Sequence, residues 1–353
     1  MPNNELKISV IGVSWYHRED FENIKKILVD GENIGKSYDD WLRMAEKEYN
    51  HLISNGHLVE KVFISSIYFP EWCKENNLEL NSKARIAFAN YVVKKKYNEM
   101  QEFDSLCPLF LNHKYKNQME QIGTGVIISI SQTYFLLTAA HIIDKTEYGD
   151  LFVPCNKILE PVEGLYSCLK IPEDRTRDDD KIDIGYIKLK NQFAERLHKS
   201  INPLSSEDIY FIDDATESVI YTFAGYPLSK SKVSQQRAQS KPFYYSGLSV
   251  EKGLYLNYGY NPLKNIIVHF RRDMSVTQEG DTTFPPFPRG ISGGGIFVWP
   301  EDFMGQIIPP NRKLIGIAHT YKDNLLIGTN IREFFKAIII NNPSLNIDFK
   351  TEL

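Results

Sequence analysis

Three stretches of this chain hold residue types that could do chemistry together. In Arg289-Gly290-Ile291-Ser292-Gly293-Gly294-Gly295-Ile296-Phe297, a single serine sits in a glycine-dense turn that runs into an apolar strand. Glycine admits positive φ and close approach of another backbone, so a serine flanked this way is presented rather than packed. A hydroxyl is a weak nucleophile at neutral pH. It needs a base within hydrogen-bonding reach and a third group that fixes the base's tautomer. His141 is a candidate base, at the end of Tyr134-Phe135-Leu136-Leu137-Thr138-Ala139-Ala140-His141 and downstream of Gly123-Thr124-Gly125-Val126-Ile127-Ile128. Asp183 is a candidate third group, the lone acid in the alternating apolar run Ile182-Asp183-Ile184-Gly185-Tyr186-Ile187-Lys188-Leu189. The chemistry implied is attack of a hydroxyl on a carbonyl, with an imidazole moving the proton.

Such positions need a scaffold of strands. Residues 108–111, 125–130, 134–137 and 151–153 read as short strands parted by turn residues, and the Asp183 strand completes a first barrel over about 105–200. A connecting helix is expected over 191–200. The second barrel, about 215–330, takes strands over 219–227, 243–245, 253–258, 266–271, 314–319 and 325–329, followed by a helix over about 331–340. The basic, serine- and glutamine-rich stretch 229–240 reads as a mobile loop. Residues 1–100 read as a small α/β unit of their own. Strands are expected over 6–13 and 58–67, with helices over 20–29, from Ser37-Tyr38-Asp39-Asp40 to 52, from Pro70 onward, and over 83–97. Strands parted by helices predict a parallel pair with a right-handed crossover.

Together the three segments resemble the trypsin- and chymotrypsin-like serine peptidases of the PA clan, over about residues 107–340. That family's motifs are a TAAH histidine, an aspartate followed by an aliphatic and a small residue, and G-x-S-G-G, in this chain order. After the small α/β domain read over 1–100, which resembles no recognised family, the resemblance implies an all-β double six-stranded antiparallel barrel with a C-terminal helix (101–353). It implies that Ser292 attacks the scissile carbonyl, that His141 takes its proton and returns it to the leaving amine, and that Asp183 orients the imidazolium. The N–H groups of Gly290 and Ser292 would form the oxyanion hole, with about 3–4 kcal/mol from each donor. The position six before the serine, where the family keeps the base of its specificity pocket, is Pro286. No carboxylate stands there, so a preference for basic substrates is not implied. His319, on the strand expected to border the substrate, is a candidate substrate-binding residue shaping a polar pocket, with a simple wall or packed residue the favoured alternative. Ile291 stands where digestive enzymes carry the aspartate that pairs with a newly cut N-terminus, so control is expected from the N-terminal unit, a partner or loop ordering.

Composition narrows the setting. A net charge of −4 and a pI near 6.1 give no global pull toward nucleic acid or an anionic membrane. No apolar run reaches spanning length and the N-terminus does not read as a secretory signal. Cys73, Cys107, Cys155 and Cys168 lack metal-type spacing, and free thiols in a reduced cytoplasm are expected, a Cys155–Cys168 bridge remaining open. His51 and His57, Asp178-Asp179-Asp180 and Lys94-Lys95-Lys96 read as solvated or capping groups, and Trp15 to Asp20 as packed aromatics with a helix-start acid, a ligand or partner site being the alternative there. No metal or cofactor is expected. The partners expected are a protein or peptide substrate and a regulatory partner on the N-terminal unit. The expected function is an intracellular serine endopeptidase, with the resemblance suggesting bacterial stress or antiviral defence. The alternatives are a catalytically silent binding or scaffold protein on the same fold, and an esterase.

Overall fold

A computed structural model describes residues 10–55, 58–98, 101–115, 118–155, 158–215, 219–234, 237–272, 284–299 and 311–345. They fall into two compact units, one within Met1–Met100 and one built from Gln101–Pro300 and Asn311–Leu353.

The first unit runs β1 (Val10–Trp15), α1 (Phe21–Ile27), α2 (Tyr38–Ser54), β2 (Leu58–Phe63), α3 (Tyr68–Glu75) and α4 (Ser82–Asn98). The two strands pair in parallel from Val10↔Leu58 to Trp15↔Phe63. Part of the strand expected over 6–13 lies outside the described residues, and the observed strand runs on to Trp15. The strand expected over 58–67 stops at Phe63, because the chain beyond it turns to Asp20, whose carboxylate accepts from the backbone N–H (2.7 Å) and hydroxyl (2.5 Å) of Ser66. Trp15, Tyr16, Phe21 and Trp41 are buried against one another, Trp15 meeting Trp41 edge-on at 5.4 Å. The aromatic cluster after β1 is therefore core, and Asp20 ties a loop. Arg85 is held in two places by Asp30, at 2.6 and 2.9 Å.

The second unit runs β3 (Leu106–His113), β4 (Met119–Ile130), β5 (Thr133–Ala139), α5 (Ala140–Asp144), β6 (Gly149–Cys155), β7 (Ile158–Pro161), β8 (Gly164–Cys168), β9 (Ile184–Leu189) and α6 (Asn191–Leu197). It continues with β10 (Ile220–Gly225), β11 (Ser231–Ser234), β12 (Arg237–Ser240), β13 (Phe243–Leu248), α7 (Lys252–Asn257), β14 (Asn265–His269), β15 (Gly295–Val298), β16 (Lys313–Lys322), β17 (Leu325–Asn330) and α8 (Ile331–Asn341). Two antiparallel sheets result, in the orders β7-β6-β3-β4-β5-β9-β8 and β13-β10-β15-β16-β17-β14. Each curls until its edges meet. In the first sheet β7 and β8 lie at opposite edges yet are parted in the chain only by Val162 and Glu163, so the sheet must close on itself. In the second, a bridge between Ser249 and Val268 joins the ends of β13 and β14. Among the described residues the second sheet holds six strands, the number expected, but with β15 in place of a strand over 253–258. The first has seven, because one long strand bends at Val162 and Glu163 and pairs on both sides of the corner.

Two expectations fail. Residues 253–258 are helical: Leu254, Tyr255 and Tyr258 turn inward at helical spacing while Leu256 is exposed. The buried Tyr255 hydroxyl accepts the Ile267 N–H at 3.0 Å. The stretch read as a mobile loop is the β11–β12 hairpin, paired from Ser231↔Ser240 to Ser234↔Arg237. All four cysteines are free. Among the described residues no helix is long and apolar enough to cross a membrane, and no His/Cys/Asp/Glu group could hold a metal ion.

Each sheet wraps its own core, one including Leu109, Ile127, Leu136, Ile187 and Phe193, the other Tyr221, Phe223, Ile267, Ile296 and Ile327. Full burial of such a side chain contributes about 1.5–3 kcal/mol. Buried polar groups tie the second sheet to the first: Asn265 donates to the Lys181 carbonyl (2.6 Å) and the Thr329 hydroxyl to the Ile182 carbonyl (2.5 Å). These two carbonyls immediately precede Asp183. Thr329→Val removes the donor and keeps the shape. It is expected to destabilise the unit by about 1–3 kcal/mol, the cost of an orphaned buried acceptor, read as a lower urea midpoint at unchanged m-value.

Candidate functional site

The structure brings His141 and Asp183 into direct contact. β5 delivers the chain to α5, whose second residue is His141, and Asp183 stands just before β9, the partner of β5. The Ala140 N–H donates to the Asp183 carbonyl at 2.9 Å. The His141 N–H donates to Asp183 Oδ1 at 3.0 Å, and His141 Nδ1 lies 2.6 Å from Oδ2. Asp183 has φ +45, a left-handed conformation that a non-glycine residue keeps only where its surroundings demand it. With an ionised carboxylate at Nδ1, that nitrogen carries the proton and Nε2 presents a lone pair, the state a base requires. Burial pushes the Asp183 pKa up, but the His141 hydrogen bond and charge outweigh it, so the acid stays below the usual carboxylate range.

Ser292 is held by the first barrel as firmly as by its own. Its carbonyl accepts the Thr124 N–H (2.8 Å), while the Thr124 hydroxyl donates to the Gly290 carbonyl (2.8 Å) and accepts the Tyr226 N–H (2.9 Å). Gly293, at φ +85, fits so closely that an added Cβ would lie 2.0 Å from the Thr124 carbonyl and 2.2 Å from the Thr138 hydroxyl. Gly290 has φ +95. The N–H groups of Gly290 and Ser292 have no acceptor among the described residues, whereas those of Ile291, Gly293 and Gly294 bond to the Pro288, Ala318 and Ile291 carbonyls. The turn thus leaves two amide donors, with one residue between them in the chain, without an acceptor among the described residues. The Ser292 carbonyl and the side chain of Ile142, the neighbour of His141, converge on Gly123: a Cβ there would meet Ile142 Cδ1 at 2.7 Å and the Ser292 carbonyl at 3.1 Å.

The serine hydroxyl itself donates to the His319 carbonyl at 3.0 Å, and among the described residues no hydrogen bond joins it to His141. The histidine–aspartate pair is assembled while the hydroxyl rests against β16. Beside Ser292 opens a cavity of about 320 Å³, walled by residues 287–289, Ile291, residues 318–321 and Leu326. His319 belongs to this wall. Pro286 does not; Phe287 and Pro288 take the place expected for it. His319 is 4% exposed, its Nδ1 lies 2.8 Å from the Thr320 hydroxyl, and its Nε2 is buried without a hydrogen-bond partner. Burial drives its pKa down from 6.5 to about 4, so the ring is neutral at pH 7. Sequence reasoning quoted Thr124 without seeing its role. The only signal was a polar residue between two glycines in an apolar strand.

No protein-family model matches the chain, and no curated protein matches it. Among solved structures it is similar to neuropsin, a serine protease expressed in the limbic system of mouse brain, with a TM-score of 0.42 and 14% identity, over 68% of this chain and 95% of that one. At that distance the likeness assigns nothing to individual residues.

Two outcomes are expected. Thr124→Val, which strips the Gly290 carbonyl and Tyr226 N–H of their shared partner, should lower stability by about 1–3 kcal/mol and leave the nucleophile turn with faster amide exchange than its flanking strands. His319 binds its proton far more weakly folded than unfolded, so the unfolded chain is favoured as pH falls below 6.5. Its contribution is complete above that pH and is lost progressively down to about 4, a loss of about 3 kcal/mol. Denaturant midpoints at pH 7 and pH 4.5 should differ less in His319→Gln than in the wild type.

Proposed function

We propose that this chain is a serine endopeptidase that cleaves peptide bonds of a protein substrate through an acyl-enzyme on Ser292. The observation that carries this reading is the two-point hold of Asp183 on His141, which places a proton on Nδ1 and leaves Nε2 to act as a base. This reading requires the Ser292 hydroxyl to leave the His319 carbonyl and turn to that nitrogen before reaction. Such adjustments are ordinary before substrate binds. As the hydroxyl adds to the carbonyl, its proton passes to His141 and the growing negative charge meets the open N–H groups of Gly290 and Ser292. Collapse of the tetrahedral species expels the amine, which takes the proton from His141. Water activated by the same imidazole then hydrolyses the ester, and Asp183 stabilises the imidazolium in both halves.

The resemblance in the three motifs supports a finer reading, a bacterial protease of stress or antiviral defence, acting inside the cell and restrained or targeted through residues 1–100. The bond between the Ser292 hydroxyl and the His319 carbonyl is the one observation that favours a silent binding protein instead. A fluorophosphonate probe separates the two. Labelling of the native chain that is lost in Ser292→Ala supports the peptidase. An unlabelled wild type, with a substrate series uncleaved, supports the binding protein. For the active enzyme, Asp183→Asn should lower kcat by about 10⁴ with little change in KM, because the amide leaves the imidazole in the wrong tautomer.

A further inference from the structure

The cavity beside Ser292 carries chemistry of its own. Its floor is Ile291, Ala318 and Leu326, all at most 5% exposed. One wall is aromatic: Phe287 meets Tyr321 edge-to-face, with ring centroids 5.8 Å apart and planes at 86°. Tyr321 is backed in the same way by Phe270 at 5.6 Å, and the Arg272 guanidinium lies over the Phe287 ring at 4.5 Å. Phe287 is nonetheless 49% exposed among the described residues, a large apolar side chain only partly covered by Arg272 and Tyr321. Among the described residues the lining contains no carboxylate, and the one cation in it, Arg289, is exposed.

We infer that this cavity selects a large uncharged side chain, aromatic or long aliphatic, on the residue whose carbonyl Ser292 attacks. The inference rests on the reading of Ser292 as the nucleophile. The side chain borne on the Cα bonded directly to the attacked carbon is the one the cavity meets first. At about 320 Å³ the cavity lies at the small end of ligand pockets, a volume suited to one bulky group. A lysine or arginine side chain entering it would shed water against an apolar floor, meet no anion among the described lining residues, and face Arg289. A carboxylate is the stronger competitor because of Arg289. That guanidinium is solvated, however, and an exposed pair adds little, while the floor offers the acid no donor. An aromatic ring covers Phe287 and adds an edge-to-face partner to the existing wall.

The test separates this inference from the peptidase reading by measuring binding without turnover. The full chain carrying Ser292→Ala is titrated by calorimetry with acetyl-Ala-Ala-X-amide peptides, X being Phe, Leu, Gly, Lys or Glu. The Phe and Leu peptides are expected to bind at least about tenfold more tightly than the Lys and Glu peptides, the discrimination an apolar pocket achieves. Adding Phe287→Ala, a change at a half-exposed position that the fold tolerates, should shrink the advantage of the Phe peptide several-fold. Equal binding across the series, absence of binding, or tighter binding of the Lys or Glu peptide overturns the inference. The wild type is then given a mixed peptide library. Selective binding without cleavage leaves the cavity's preference standing and removes the peptidase; cleavage chiefly after charged residues does the reverse.

Discussion

A single buried carboxylate sets the constraints on the rest of this unit. Asp183 is 5% exposed, and an anion taken that far out of water survives only if its oxygens are met by donors. Both are, by the backbone N–H and the ring of the same residue, His141. That arrangement does more than satisfy the charge: it fixes ring position, orientation and tautomer together. Its cost is a left-handed backbone at Asp183, sustained by the Ala140 N–H on its carbonyl and by the two preceding carbonyls pinned to Asn265 and Thr329. The other ionisable ring nearby, His319, is kept neutral by burial, so no second cation competes for the acid at pH 7.

The second coupling runs through Thr124. A strand of the first barrel grips the turn around Ser292 by two hydrogen bonds and the adjacent Tyr226 by a third, and Gly293 lets the two backbones close to a distance no side chain would permit. The candidate residues His141, Asp183 and Ser292 are thus spread over both barrels. Such a site depends on the packing between sheets as much as on the side chains themselves. Preorganised amide donors act strongly because they do not reorient during reaction, and the turn between Gly290 and Gly294 is braced on both sides for that role.

The N-terminal unit follows a different logic. Its polar groups Asp20, Asp30 and Arg85 are engaged in ties that hold loops and helices, and its tryptophans fill its core.

Much of this was legible before any coordinates. Ser292, His141 and Asp183 announce themselves because a reactive polar residue inside an apolar or glycine-rich run conflicts with simple packing, and the alternation of β4, β5 and β9 needs only local sequence to be read. The sequence alone misassigned 253–258 and 229–240, since a short apolar run fits a strand or a helix equally well and a polar hairpin looks like a loop until its partner strand is known. What only the tertiary structure decided are the relations between distant segments. These include the resting bond of Ser292 on His319, the burial that neutralises His319, the grip of Thr124, and a cavity lined by Phe287 and Pro288 instead of Pro286. Each depends on residues tens to hundreds of positions apart meeting within hydrogen-bond or van der Waals distance. Local pattern encodes which face of an element is apolar; it does not encode which distant element will cover it.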